Sequence, residues 1–182
     1  GFEIFVSNHD APILWEALLS CDSPSTVPVG LGARDTLRME KGYLLSGQDF
    51  LWPLLDDSSS SLPGGFLSRN TAETAVPFGL DMNHDFIGKE AMLHDPEPNE
   101  IWQGLVCLER GPSPRTGHPV LDGDDEESRV IGYVTSGGPS PSREMSGIAL
   151  AYMERCSEGD EVWIQSSSRR RVRAEVTGIP FV

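Results

Sequence analysis

Lysine is nearly missing from this chain. Lys41 and Lys89 are the only two, and the other 12 basic residues are arginines. Positive charge as a whole is scarce, with 14 basic against 28 acidic residues and a net charge of −14. A balance of that sign repels a phosphate backbone or an anionic membrane, so neither is expected as the main partner, and any anionic ligand has to be met by local cations. The lysine-poor, acidic composition suits a salt-adapted cytosol and equally a codon bias. Cysteine is sparse as well. Cys21, Cys107 and Cys156 are odd in number, far apart and without a CxxC spacing, which excludes a disulfide framework and a thiolate zinc site and fits a reducing compartment. His9, His84, His94 and His118 show no metal-ligand spacing. No apolar run approaches the length of a membrane span and no charged-then-apolar leader opens the chain, so it reads as soluble and cytoplasmic.

What is present suffices for a sizeable core: 182 residues, 38% of them hydrophobic, hold one large domain or two small ones. Phe2, Ile4 and Val6 alternate with Glu3 and Phe5, the period of a strand, with Glu3 on its own face. The chain thus reads as starting inside a fold, which implies a larger parent. Asp10, Ala11 and Pro12 open a helix whose Leu14, Trp15, Leu18 and Leu19 form an apolar stripe assigned to the core. A loop with Pro24 and Pro28 leads to Gly30-Leu31-Gly32-Ala33-Arg34-Asp35-Thr36-Leu37-Arg38-Met39-Glu40, a short helix stopped by Gly42. Gly30 and Gly32 are expected to allow a tight turn and close approach. Arg34 and Arg38 lie one turn apart and repel, so an anionic partner is needed. Asp35 serves Arg38 locally, and Arg34 is left to Glu3 or a ligand.

Residues 51–69, with Asp56-Asp57, four serines and Leu62-Pro63-Gly64-Gly65, read as a surface excursion pinned by Trp52, Leu54 and Leu55. Asp85 is expected to cap a short helix ending before Pro96 and Pro98. From there the pattern changes to short strands separated by turn residues, at 101–109, 118–122, 130–136, 147–153, 161–166 and 171–177. Six such strands predict a small antiparallel barrel or sandwich.

Set in order along the chain, Gly1-Phe2-Glu3-Ile4, the helix motif 30–40, Gly47-Gln48-Asp49, Val134-Thr135-Ser136-Gly137 with Ser140-Pro141, and Pro180-Phe181-Val182 resemble the aminomethyltransferase (T-protein) of the glycine cleavage system, over its C-terminal half. The resemblance implies an α+β fold. Residues 1–98 would be the C-terminal part of the folate-binding domain, and residues 99–182 a six-stranded β-barrel domain. It also implies tetrahydrofolate and the lipoylated H-protein as partners, with ammonia released as the carbon passes to folate. By the same resemblance Glu3 and Arg34 contact the folate and Tyr43 lines its pocket. The chemistry is apt: a carboxylate accepts paired N–H bonds from a pterin, and an arginine donates to carbonyl or carboxylate oxygens.

The residues alone leave alternatives open. Glu3 and Arg34 also make sense as a structural ion pair, and Tyr43 before two leucines as core. No residue matches the family's catalytic aspartate, so the catalytic residues stay unknown and this stretch alone is expected to be inactive. Ser46 stands where most relatives have tyrosine. Sibling readings are the folate-linked domain of sarcosine or dimethylglycine dehydrogenases, a folate-dependent demethylase, or a non-catalytic folate-binding module. The folate-binding iron–sulfur assembly protein ranks last, because Lys41–Asp49 is longer than its signature and lacks the cysteine.

Overall fold

A computed structural model describes residues 2–21, 25–51, 61–74, 81–94 and 97–182. The chain forms two compact units, Gly1–Asp35 and Thr36–Val182.

In the first unit α1 spans Ala11–Leu19, opened by Asp10 and Pro12 as the sequence predicts. Its apolar stripe is not core. The helix buries none of its residues, and Trp15 is 55% exposed. Residues 2–7 form no strand either, and Phe2 and Phe5 are almost wholly exposed. Both corrections have one cause. Periodicity reports which face is apolar, but a stripe becomes core only when another element covers it, and a strand forms only when a neighbour accepts its N–H groups. Among the described residues neither is supplied. α2, Leu31–Glu40, starts with Arg34 N–H bonded to Gly30 O at 3.1 Å. Gly30 and Gly32 have ordinary φ and open space around them among the described residues, so no close approach uses their missing Cβ atoms.

The second unit is organised by a closed antiparallel barrel in the order β1-β4-β3-β2-β5-β6. The strands are β1 (Glu100–Cys107), β2 (Pro119–Leu121), β3 (Val130–Ser140), β4 (Ser146–Glu154), β5 (Glu161–Ser167) and β6 (Arg170–Thr177). β6 closes the ring by pairing with β1, Leu105 opposite Val176. Inward-facing Leu105, Val120, Val134, Met153, Ile164 and Ala174 fill the interior. The outer face of β1 and β4 is covered too. Trp102, Ile148, Leu150 and Tyr152 pack there with Met39 and Phe181, and Leu44 and Phe66 press on the edge. β4 is therefore apolar on both faces and reads as the unbroken run Ile148–Met153 rather than as alternation. β3 runs four residues past its expected end, because Gly137–Ser140 stay paired with Ser146–Ala149 despite their turn-like composition.

Two short helices precede the barrel. α3, Thr71–Thr74, is held by a reciprocal box in which Glu73 N–H donates to Asn70 Oδ1 and Asn70 N–H to Glu73 Oε2. α4 is Lys89–His94, so it starts too late for Asp85 to be its cap; Asp85 instead sits 3.4 Å from Lys89 Nζ. In the expected excursion, Leu62 and Leu67 are buried and Leu51 N–H donates to Leu67 O, which ties the described part to the body. Trp52, Leu54 and Leu55 lie outside the described residues, and the boundary expected at residue 98 falls within the second unit.

Candidate functional site

α2 ends in a Schellman arrangement. Gly42, at φ +72°, donates to Met39 O and Tyr43 N–H donates to Arg38 O at 2.8 Å, which satisfies the last carbonyls of the helix. A side chain at Gly42 would start 1.8 Å from Ile179 Cγ2, so glycine is required twice over. The turn sends the chain into the loop Tyr43–Phe50 and places two buried polar clusters against the barrel.

The first cluster centres on Asp49, which is fully buried. Its Oδ2 takes the Arg38 Nη1 donor and the Leu45 N–H, the latter at 2.9 Å. Its Oδ1 accepts from the Thr135 and Ser136 hydroxyls, each at 2.5 Å. Arg38 is 8% exposed, and its Nη2 donates to Ser136 Oγ at 2.7 Å. Gln48 Nε2 donates to the same Ser136 oxygen at 3.1 Å. The carboxylate of Asp49, eleven residues on, stands against the Arg38 guanidinium.

The second cluster centres on Glu40, the last residue of α2, 4% exposed. It accepts from Ser140 Oγ at 2.5 Å, Ser142 N–H at 3.0 Å and Ser142 Oγ at 2.9 Å. These donors, Ser140 above all, hold its carboxyl below the usual range although burial works the other way. Phe181 N–H donates to Glu40 O, and Arg143 Nη1 donates to Phe181 O at 2.8 Å, so the terminal Pro180-Phe181-Val182 segment joins the same junction.

Of the residues the sequence proposed for a ligand, Glu3 and Arg34 belong to the first unit and are exposed. Among the described residues no hydrogen bond or ion pair joins them. Tyr43 belongs to the second unit and is 51% exposed, against the reading of it as core. The motif residues Arg38, Glu40, Asp49, Thr135, Ser136 and Ser140 were legible as motif members but not as partners of one another.

A separate cavity of about 410 Å³ lies at one end of the barrel, lined by Cys107, Glu109, Arg110, Met145 and Gly147 among others. Burial, helped by Glu109, pushes the Cys107 thiol up to about 11, which leaves it protonated and a poor nucleophile near neutrality. Among the described residues no cluster of His, Cys, Asp or Glu could hold a metal ion, and no helix is long and apolar enough to cross a membrane.

Two family models divide the chain between them: the GCVT N-terminal domain matches residues 1–52, and the glycine cleavage T-protein C-terminal barrel domain matches residues 103–182. The chain belongs to the glycine cleavage T-protein family. An aminomethyltransferase of Staphylococcus carnosus is 39% identical over 180 residues, covering 97% of this chain and 44% of its own length. One from Bacillus pumilus is 35% identical, covering all of this chain and 46% of its own length. The crystal structure of the glycine cleavage system aminomethyltransferase T from Bartonella henselae superposes with a TM-score of 0.64 at 30% identity, over 96% of this chain and 44% of that one. The chain therefore spans less than half the length of these family members. The closed barrel at 100–177 is the family's C-terminal domain, and its junction with α2 gathers motifs that carry the T-protein resemblance.

Proposed function

We propose that this chain is the part of a glycine cleavage aminomethyltransferase that holds tetrahydrofolate, in an enzyme passing the methylene carbon of an aminomethyl group on the lipoyl arm of H-protein to tetrahydrofolate with release of ammonia. In this reading residues 1–98 belong to the folate-binding domain and residues 99–182 to the barrel domain, and the protein works in the cytoplasm. The observation that carries it is the family match at both ends of the chain, with Glu3, Arg34 and Tyr43 standing exposed at the positions that the T-protein resemblance assigns to folate.

The donor set fits the ligand. Glu3 presents an exposed carboxylate that can accept two parallel N–H bonds from a reduced pterin, and Arg34 an exposed guanidinium for carbonyl or carboxylate oxygens. Tyr43 offers a ring face to stack on the pterin or benzoyl group. The reaction needs positioning and charge stabilisation as ammonia leaves, rather than a nucleophile of the protein. No residue of this chain corresponds to the family's catalytic aspartate, so the chain alone binds folate without turning over.

Calorimetric titration of the chain with tetrahydrofolate, beside Arg34→Ala, tests this. Binding that weakens about ten-fold or more in the variant supports the assignment, since a charged hydrogen bond contributes on the order of 1.5–3 kcal/mol. Equal binding in both proteins would remove Arg34 from the site, and ammonia release by the isolated chain would overturn the division of labour.

A further inference from the structure

We propose that the buried Arg38–Asp49 pair is a positioning clamp for Tyr43, fixing the backbone that carries the ring assigned to folate; the role of that ring rests on the folate reading above. Tyr43 is gripped at both main-chain groups by one residue. Its N–H donates to Arg38 O at 2.8 Å, and its carbonyl accepts from Arg38 Nη1 at 3.1 Å. The same Nη1 is bound to Asp49, whose Oδ2 also takes the Leu45 N–H two residues after Tyr43. The loop closes on itself beyond that point, with Asp49 N–H donating to Leu45 O at 2.8 Å and Gly47 N–H to Phe50 O at 2.7 Å. Tyr43–Phe50 contains no helix and no strand, so Arg38 and Asp49 supply much of what orders its first residues.

The pair is a poor choice if stability is all it serves. A buried ion pair loses in desolvation much of what it gains in attraction, and well-packed apolar residues often replace one without loss. What an apolar pair cannot do is hold Tyr43 O, Leu45 N–H and two barrel hydroxyls in one fixed register. The hydroxyls come from Thr135 and Ser136 on β3, so the loop is referenced to a strand of the closed barrel. Tyr43 is half exposed at the surface end of this chain of contacts, and Asp49 is completely buried at the other.

The test uses Asp49→Asn, and Arg38→Lys as the milder break, which keeps the charge but cannot reach Tyr43 O, Asp49 and Ser136 together. Amide hydrogen exchange reads the clamp directly. The Tyr43 and Leu45 amides are expected to exchange about ten-fold faster or more in both variants while β1 and β4 amides keep their protection. Unchanged exchange at Tyr43 and Leu45 overturns the proposal. Tetrahydrofolate affinity is then measured in wild type, Asp49→Asn, Tyr43→Ala and the double variant. A clamp acting through Tyr43 weakens binding about ten-fold by itself and adds less than about two-fold once Tyr43 is alanine. Additive losses overturn it. A wild-type chain that binds no tetrahydrofolate refutes the folate reading, while the exchange experiment still decides the clamp.

Discussion

Replacing Glu40 tests whether the junction between α2 and the barrel is held by a charge. Its carboxylate accepts three hydrogen bonds, from Ser140 Oγ, Ser142 N–H and Ser142 Oγ, at 2.5, 3.0 and 2.9 Å. A carboxylate at the last residue of a helix faces the negative end of the helix dipole, and burial disfavours its charge as well. Its pKa is nevertheless lowered, so the three donors outweigh both effects. Hydrogen bonds to a charged group contribute about 1.5–3 kcal/mol each, and orphaning a buried donor costs about 1–3 kcal/mol. Glu40→Ala strands the Ser142 N–H and the fully buried Ser140 hydroxyl, though that hydroxyl can rotate. The expected loss is about 3 kcal/mol, a large part of a typical domain's stability. Glu40→Gln keeps the volume and one acceptor oxygen, and its amide can donate to Ser142 Oγ, so it loses about 1 kcal/mol. The pH dependence follows from the direction of the shift. Because the folded pKa lies below the unfolded value of about 4.3, the charge stabilises fully above that value and its contribution disappears as pH falls through the folded pKa. The gap between wild type and Glu40→Gln should be open near neutrality and close on acidification. Urea unfolding followed by the fluorescence of the barrel tryptophans Trp102 and Trp163 measures it. A Glu40→Gln protein as stable as wild type near neutrality, or a gap that persists at acid pH, would refute a charge-held junction.

Two further substitutions probe the barrel. A Cβ at Gly132 would stand 2.3 Å from Tyr152 O and 2.5 Å from Met153 Cα, backbone atoms of the paired strand that cannot step aside. Gly132→Ala should thus lose about 3 kcal/mol or fail to close the barrel, read by circular dichroism on heating; near-wild-type melting would show that β3 and β4 separate more freely than their register implies. Tyr152→Phe should go the other way. Its hydroxyl is buried without a hydrogen-bond partner among the described residues, and burial raises its pKa, so phenylalanine is expected to be neutral or stabilising by up to about 1 kcal/mol. A loss larger than that in chemical denaturation would show that the hydroxyl has a partner after all.

The barrel was legible because its signals are local. Turn residues separate six apolar runs, and each run formed a strand within a few residues of its expected ends. β3 departed most, since Gly137-Gly138-Pro139 has the composition of a turn while its pairing is decided by the neighbouring strand, Gly138 opposite Ile148. The first thirty-five residues show the opposite failure. Phe2, Ile4, Val6 and the Trp15–Leu18 stripe carry a correct pattern for burial, yet they stay exposed. A pattern states what a segment can bury against another; the partner is a fact about the rest of the fold, and no periodicity in the segment itself contains it.

The polar junction shows why a motif can be read while its distant partners stay hidden. Arg34 and Arg38 belong to one helix motif, and the sequence set both the same problem, a like charge one turn away with an anion to find. Arg38 meets Asp49 and Ser136, the latter ninety-eight residues distant, and only the register of β3 in a closed barrel brings it there. Asp49 in turn reaches Thr135 across eighty-six residues. Three short motifs, 30–40, 47–49 and 134–137, thus converge on one buried carboxylate. Arg38 is spent on that convergence, with its donors turned inward to the barrel and to Tyr43 O, whereas Arg34 on the same helix remains exposed. The two arginines are alike in sequence context and opposite in burial, and the one that organises the loop is distinguished by how many fixed partners it has.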